Sequence, residues 1–548
     1  MSRRPRLTVF GTGYLGTAHA ACLASLGFEV LGVDVDAARA RGLQAGILPF
    51  YEPGLEPLLR AGLRAGRLAF TTSYPAAAEF GDVHFICVGT PQRPGSGGAD
   101  LTQFESCFAG LAPLLHRPCL VVGKSTVPPG TAAAYGQRLP GTAPAGTGAE
   151  LAWNPEFLRE GHAVADTLRP DRVVAGVWSD HAAATLREVY AEPLAAGVPF
   201  LVTDPATAEL VKVAANAFLA TKISFINAMA EVCEVTGADV LSLADALGRD
   251  PRIGGAGLRP GLGFGGGCLP KDIRALAARA AELGAGEALS FLHEIDAINQ
   301  RRRTRLVDLA REAAGGRLDG RRVGVLGVAF KPGSDDIRDS PALEVAARIQ
   351  ALGARVAVFD PAAMDRASQV HPDLDYRGSV LGAARDADAL LLLTEWPEFS
   401  AADPVVLARA VARRAIVDAR HALDAAAWRD SGWDYRAPGR PGDPAGLPGA
   451  LGDSAGAPGA LAGHPAGVPR HAAGPREAEE PLPGRCDLTR RAPKRFAVKR
   501  LDIYGSSSMA ACDRRGLPSA WNWRAPPGRS AAPSTRPWPR RAARCRYG

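Results

Sequence analysis

Leu7-Thr8-Val9-Phe10-Gly11-Thr12-Gly13-Tyr14-Leu15-Gly16 is the stretch that decides the fold. Its apolar start reads as a buried strand, and its glycines open a turn into a helical pattern from about Tyr14 to Leu26. A second run, Glu29-Val30-Leu31-Gly32-Val33-Asp34, ends on an acid 18 residues after Gly16. Strand, glycine turn, helix, strand and terminal acid together predict a dinucleotide site. The glycines let the backbone approach a pyrophosphate, the helix N-terminus stabilises its charge, and the acid accepts from ribose hydroxyls. Gly11, Gly13, Tyr14, Leu15, Gly16 and Asp34 are therefore expected at the cofactor. An acid at position 34, with Asp36 behind it, repels a 2′-phosphate, so NAD is expected rather than NADP.

Outward from this unit, Val83–Val88 and Cys119–Val122 read as further buried strands, and the residues from Pro140 to Gly148 as a loop. Residues 205–235 read as one long helix, with Pro205 near its start and Gly237 past its end. Glu209, Lys212 and Asn216 fall at i, i+3 and i+7 and share one face of it. The strand–helix pattern restarts at Arg321. Strands are expected at Arg322–Leu326, Arg355–Phe359 (ending at Asp360), Ala389–Leu393 and Ala415–Asp418. The expected fold is α/β: two Rossmann-like doubly wound domains joined by a long central helix, plus a disordered C-terminal tail. The divisions read as 1–203, 204–300, 301–437 and a basic Gly/Pro/Ala/Arg-rich tail at 438–548, which lacks the periodicity to bury a core.

The chain has 548 residues, 47% of them apolar, enough for several cores. No continuously apolar run reaches 18 residues, and Ser2–Arg6 is not followed by a signal segment. A cytoplasmic protein without a membrane partner is expected. Nine cysteines include no CxxC pair, so free thiols and no metal are expected. The formal charge of +7 misleads: residues 441–548 hold 18 Lys/Arg against 8 Asp/Glu, leaving the rest at −3. Nucleic acid is not an expected specific partner of such a body.

The sharpest chemical signal is Gly263-Phe264-Gly265-Gly266-Gly267-Cys268-Leu269-Pro270-Lys271-Asp272. A glycine run brings bare backbone to a ligand. The cysteine stands at a helix start, with proline in the first turn, where the helix N-terminus is expected to lower the thiol pKa. Asp272, four residues on, shares its face and can polarise a water. Cys22, Cys87, Cys107, Cys119 and Cys233 suit the role of small buried hydrophobes better.

This segment resembles the active-site signature of the UDP-glucose/GDP-mannose dehydrogenase family, usually Gly-Phe-Gly-Gly-Ser-Cys-Phe-Pro-Lys-Asp. Other family signatures occur in order: Lys124-Ser125-Thr126-Val127-Pro128; Asn154-Pro155-Glu156-Phe157-Leu158-Arg159-Glu160-Gly161; Glu209, Lys212 and Asn216; Arg252-Ile253-Gly254; Phe330-Lys331 to Arg338; and Asp418-Ala419-Arg420. The resemblance spans about residues 6–430. It implies a four-electron oxidation of a nucleotide sugar at C6 by two NAD, through a thiohemiacetal and a thioester on Cys268. UDP-glucose is the expected substrate, with GDP-mannose or UDP-N-acetylmannosamine as the alternatives. Catalytic roles would fall to Cys268, Lys212, Asn216, Asp272, Glu156, Glu160 and Thr126. On the cofactor side it adds Arg39, Thr90, Thr126, Glu160, Lys271 and Arg338. Substrate contacts would be Glu156, Phe157, Leu158, Lys212, Asn216, Arg252, Gly265, Lys331 and Arg420. Residues 204–300 would dimerise and 301–437 would hold the UDP sugar, in a homodimer or higher homo-oligomer. Gly267, Leu269, Ala419 and His421 depart from the family pattern. A two-electron hydroxyacid dehydrogenase would need neither Cys268 nor the second domain. A nonenzymatic nucleotide-sugar binder would not need Cys268, Lys212, Asn216 and Asp272 together.

Overall fold

The computed structural model describes residues 3–440. The tail expected beyond residue 440 lies outside the described residues. Two sheets organise the chain. The first runs β1 (Leu7–Phe10), β2 (Val30–Val33), β3 (Leu68–Thr71), β4 (Val83–Ile86), β5 (Cys119–Gly123), β6 (Ala149–Trp153), β7 (Val173–Gly176) and β8 (Phe200–Thr203). Their spatial order is β3-β2-β1-β4-β5-β6-β7-β8, parallel throughout except where β6 meets β7. β1, β4 and β5 are buried along their whole length, which is why they read as unbroken apolar runs rather than as alternation. The order reverses between β1 and β4. In doubly wound sheets a ligand crevice forms at such a switch, at the carboxyl ends of the strands, and here that end carries Gly11 and Val88.

The second sheet contains β9 (Arg322–Leu326), β10 (Arg355–Phe359), β11 (Asp375–Tyr376), β12 (Ala389–Leu392), β13 (Ala415–Asp418) and β14 (Asp434–Arg436), ordered β11-β10-β9-β12-β13-β14. It repeats the order of the first six strands of the first sheet but not its turn. Asp360 follows β10 as Asp34 follows β2. Its carboxylate accepts from the Val328 and Ala329 amides at 2.8 and 3.0 Å and from the Trp396 indole at 3.3 Å. Buried and fully engaged, it is closed to a second ribose.

Between the sheets runs the central helix Pro205–Thr236, about 48 Å long at 1.5 Å per residue. Asp204 caps its first turn through the Thr207 amide at 2.8 Å, and Gly237 ends it at φ +76°. A cap of this kind contributes about 0.5–2 kcal/mol. The helix is long and apolar enough to cross a bilayer, with a mean hydropathy of 1.3 over 18 residues. Yet it buries Glu209, Lys212 and Asn227 against protein. Val213, Ala217 and Ala220 pack on Phe264, Ile273, Leu276 and Leu292, which fixes it to the helices Leu269–Glu282 and Phe291–Ala313.

Two expectations need correction. Pro140 lies inside the helix Thr131–Thr142, not in a loop. It stands in the last turn, where the missing N–H costs one bond and the Ala143 amide still caps onto Leu139. Residues 438–440, expected to open the tail, are fastened to the far end of the central helix. The Gly439 amide donates to Glu234 at 2.9 Å, the Val240 amide donates to the Gly439 carbonyl at 3.0 Å, and Arg440 pairs with Asp239 at 3.0 Å.

Candidate active site

The first glycine turn meets its geometric requirements residue by residue. Gly11 has φ +84°, and a Cβ on it would lie 2.9 Å from Val88. A Cβ on Gly16 would lie 1.9 Å from the Gly11 carbonyl oxygen, so helix and turn close only on hydrogen. Gly13 has nothing within 4 Å, leaving open the face a pyrophosphate would approach. Asp34 accepts from the Thr12 amide and hydroxyl at 2.8 and 2.9 Å and pairs with Arg39 at 3.3 Å. Burial favours its neutral form, but the Asp36 and Thr12 hydrogen bonds and Arg39 win, so its pKa lies below the usual carboxylate value. Tyr14 and Leu15 open the helix. The Tyr14 hydroxyl donates to Glu52, which also accepts from the amides of Gly161 and Ala163 at 2.7 and 2.8 Å. These residues suit a bound NAD.

Cys268 stands at the N-cap of the helix Leu269–Glu282. It alone of the six described cysteines is exposed; the other five are buried. Around it stand two groups of side chains. The central helix supplies Lys212, whose ammonium meets Glu156 Oε1 at 2.9 Å, and Asn216, whose amide donates to Asp272 Oδ2 at 2.7 Å. Lys271 takes the other oxygen of Asp272, and Glu156 Oε2 accepts from the Leu158 amide at 2.8 Å. Burial would neutralise Lys212, but Glu156, Cys268 and Asp272 overcome it and raise its pKa, so the ammonium stays charged. Phe157 lies 5.7 Å beneath that ammonium. The second group joins the two sheets. Glu160 accepts from the Ser334 hydroxyl at 3.0 Å and pairs with Arg338 at 3.2 Å. Burial and Asp336 push Glu160 up to about 7, against Arg338, Ser334 and Lys331. Burial lowers Lys331, against the pull of Glu160 and Glu52.

The expectation of a lowered thiol pKa is overturned. Cys268 keeps an exposed side chain, but protein is packed densely around its sulfur. That burial, then Glu156 and Asp272, push the thiol up to about 12, although Lys212 and Lys271 oppose them. Burial and two carboxylates outweigh two lysines.

The glycines before Cys268 are spacing devices. A Cβ on Gly265 would lie 2.2 Å from the Asp339 carbonyl oxygen, and one on Gly267 would lie 2.3 Å from the Arg338 guanidinium carbon. Gly267, where the family pattern carries serine, is thus covered by Arg338. Asn299 clamps Phe264 from both sides, accepting from its amide at 2.8 Å and donating to its carbonyl at 2.9 Å. Arg420 reaches the same loop, with the carbonyls of Gly263 and Phe330 at 3.4 and 3.2 Å. It borders a cavity of about 430 Å³ that is also lined by Gly255, Gly257, Arg259 and Gly261. Thr90 donates to the Thr126 carbonyl at 2.6 Å, and both line one pocket with Pro128, Val213, Lys271 and Asp272. Arg252 is not brought to the cleft: its side chain is 87% exposed and paired with Asp250. Glu52, Ser334 and Asp336 escaped the sequence reading. The last two sit inside the Phe330–Arg338 signature, which could have drawn attention to them.

Three family models match in succession. They are those of the UDP-glucose/GDP-mannose dehydrogenase family's NAD binding domain (residues 5–194), central domain (206–301) and UDP binding domain (324–425). The chain belongs to this family. Among its relatives, the UDP-glucose 6-dehydrogenase of Rhizobium meliloti is 40% identical, over 80% of this chain and 100% of its own. UDP-glucose 6-dehydrogenase TuaD of Bacillus subtilis is 38% identical, over 80% and 93%. A solved UDP-glucose dehydrogenase from Pyrobaculum islandicum superposes with a TM-score of 0.73 at 38% identity, covering 80% of this chain and 98% of that one. A UDP-D-ManNAc dehydrogenase from Pyrococcus horikoshii gives 0.68 at 27% identity, covering 79% and 99%. The NAD binding model of the family covers the whole glycine turn and Asp34.

Proposed function

We propose that this protein is a UDP-glucose 6-dehydrogenase, oxidising the C6 alcohol of UDP-glucose to the carboxylate of UDP-glucuronate with two NAD. The observation that carries this reading is an exposed cysteine at a helix N-cap, facing a charged lysine and a carboxylate held by an asparagine. NAD, when bound, accepts a hydride in each of two oxidations. The chain's own residues do the rest. At a thiol pKa of about 12, Cys268 rests protonated and loses its proton as sulfur bonds to the C6 aldehyde carbon. Lys212 holds the developing oxyanion, with Asn216 as second donor. The thiohemiacetal lets a second hydride leave, and the thioester it becomes is opened by water oriented by Asp272, returning the thiol. Glu156, Glu160 or a water relays protons, and Thr126 lines the same pocket.

For the remaining contacts, the reading gives NAD to Gly11, Gly13, Tyr14, Leu15, Gly16, Asp34, Arg39, Thr90, Thr126, Glu160, Lys271 and Arg338. Phe157, Leu158, Gly265, Lys331 and Arg420 go to the nucleotide sugar. Residues 1–203 bind the cofactor, 204–300 carry the dimer contact and the cysteine, and 301–437 hold the UDP sugar. A homodimer is supported by Phe218, Phe225 and Val232. They repeat at seven-residue spacing on the central helix and are 67, 46 and 47% exposed. Arg252 then serves a neighbouring copy. Free thiols among the described residues suit a reducing cytoplasm.

The test is NADH released per limiting UDP-glucose, with GDP-mannose in parallel. Two NADH per UDP-glucose, lost in Cys268→Ala, is the expected result. Two from GDP-mannose alone would move the substrate, and none from either would sink the reading.

A further inference from the structure

Glu209 shares a helix face with Lys212 and Asn216, yet the chemistry above leaves it unused. It is 2% exposed. Its Oε2 accepts from the Gly130 amide at 2.7 Å and its Oε1 from the Ala132 amide at 2.5 Å. These amides open the helix Thr131–Thr142, whose N-cap is a glycine at φ +100° with no side chain to offer. Helices normally draw that cap from the residue at their own start; here it comes from 77 residues away. Arg279, on the cysteine helix, donates Nε to the Pro129 carbonyl at 3.1 Å and is the charged side chain facing Glu209. The carboxylate therefore joins two of three parts directly, and Arg279 ties the third to the same loop. The three are the loop running from Thr126 to Gly130, the central-helix turn that presents Lys212, and the helix that begins at Cys268.

We propose that Glu209 is a positioning residue for the oxidation, fixing the Thr126 loop of the cofactor pocket at one spacing from Lys212. The inference rests on the dehydrogenase reading. A one-ångström error between a cofactor pocket and an oxyanion donor costs about 100-fold in rate, and no other side chain spans these two parts directly among the described hydrogen bonds. The joint is also titratable. Burial pushes the Glu209 carboxyl up to about 7, with the Ala132 and Gly130 amides and Arg279 holding it back. Above that pH the ionised carboxylate accepts from both amides. Below it one oxygen carries a proton, one amide loses its acceptor, and the loop loosens.

Glu209→Gln tests this, because its NH2 cannot accept from the second amide. The wild type must first release two NADH per UDP-glucose. Failure there sinks the functional reading and this inference with it. With an active wild type, Glu209→Gln is expected to lower kcat about 10-fold or more above pH 8, to leave KM for UDP-glucose within roughly threefold, and to make the acid limb of the kcat profile near pH 7 shallower, Glu160 alone then titrating there. Arg279→Met, on the helix surface, keeps the carboxylate but removes the facing charge. Its acid limb moves to higher pH, which also serves should the glutamine variant fail to fold. Wild-type kcat and an unmoved acid limb in either folded variant overturn the inference while leaving the dehydrogenase reading intact.

Discussion

At the scale of single residues, the decisive competition is over the Cys268 proton. A helix N-terminus favours the thiolate, but two carboxylates and the walls of the cleft favour the thiol, and the thiol wins. Below its pKa, thiolate rises tenfold with each pH unit. Iodoacetamide labelling of Cys268 in the free protein should therefore climb about tenfold per unit between about pH 7 and 9. A plateau in that interval would reveal a low thiol pKa and refute the account. Lys212 pairs with Glu156, and the proposed mechanism gives it a second duty as donor for the oxyanion. Lys212→Ala is expected to cut kcat by about 10²–10³, measured as steady-state NADH release. A loss below threefold would assign the oxyanion to another group. Sequence alone exposed Cys268, Lys212, Asn216 and Asp272, because motif spacing places them. It could not expose the thiol's true state, since Glu156 arrives from a strand end more than a hundred positions earlier.

At the scale of elements, the loop from Gly261 to Gly267 shows what spacing can and cannot reveal. A glycine run announces close approach, but not to what. The partners are Asp339, Phe330 and Arg338 of the second domain and Asn299 of the helix Phe291–Ala313, all distant in sequence. Gly265→Ala places a methyl against the Asp339 carbonyl. It should destabilise by about 1–3 kcal/mol through overpacking, read as a lower thermal midpoint. It should also raise KM for the nucleotide sugar more than it lowers kcat, because the loop is pried from the second domain. An unchanged midpoint and KM would mean the loop has slack. The strands that were legible, β1, β2, β4, β5, β9, β10, β12 and β13, are buried apolar runs. The short β11 and β14 carry no such run, Glu150 interrupts β6, and β3, β7 and β8 are four-residue apolar stretches that stand out only once a neighbour pairs them.

At the scale of the whole molecule, two sheets that share one order over six strands differ in their turns. One keeps Gly13 open and Asp34 at the crevice; the other spends Asp360 on its own amides. This was legible in part, since the first turn shows three glycines and the second does not. The exposed stripe on the central helix was not, because Phe218, Phe225 and Val232 read equally well as core. If that stripe joins two copies, Phe218→Glu should shift the sedimenting mass to that of one chain and lower activity with it, as Arg252 loses its neighbour. A variant that still sediments as a dimer would move the interface elsewhere. The clasp at the far end of the central helix carries a further consequence. Glu234 and Gly439 stand 205 residues apart. On a ribosome delivering about 5–20 residues each second, the helix end must therefore wait roughly 10–40 seconds for its fastener. Through that interval the growing chain has its second sheet still to complete and an unsecured helix end to shield, which makes nascent-chain custody, and not the finished fold, the stage at which this joint is open.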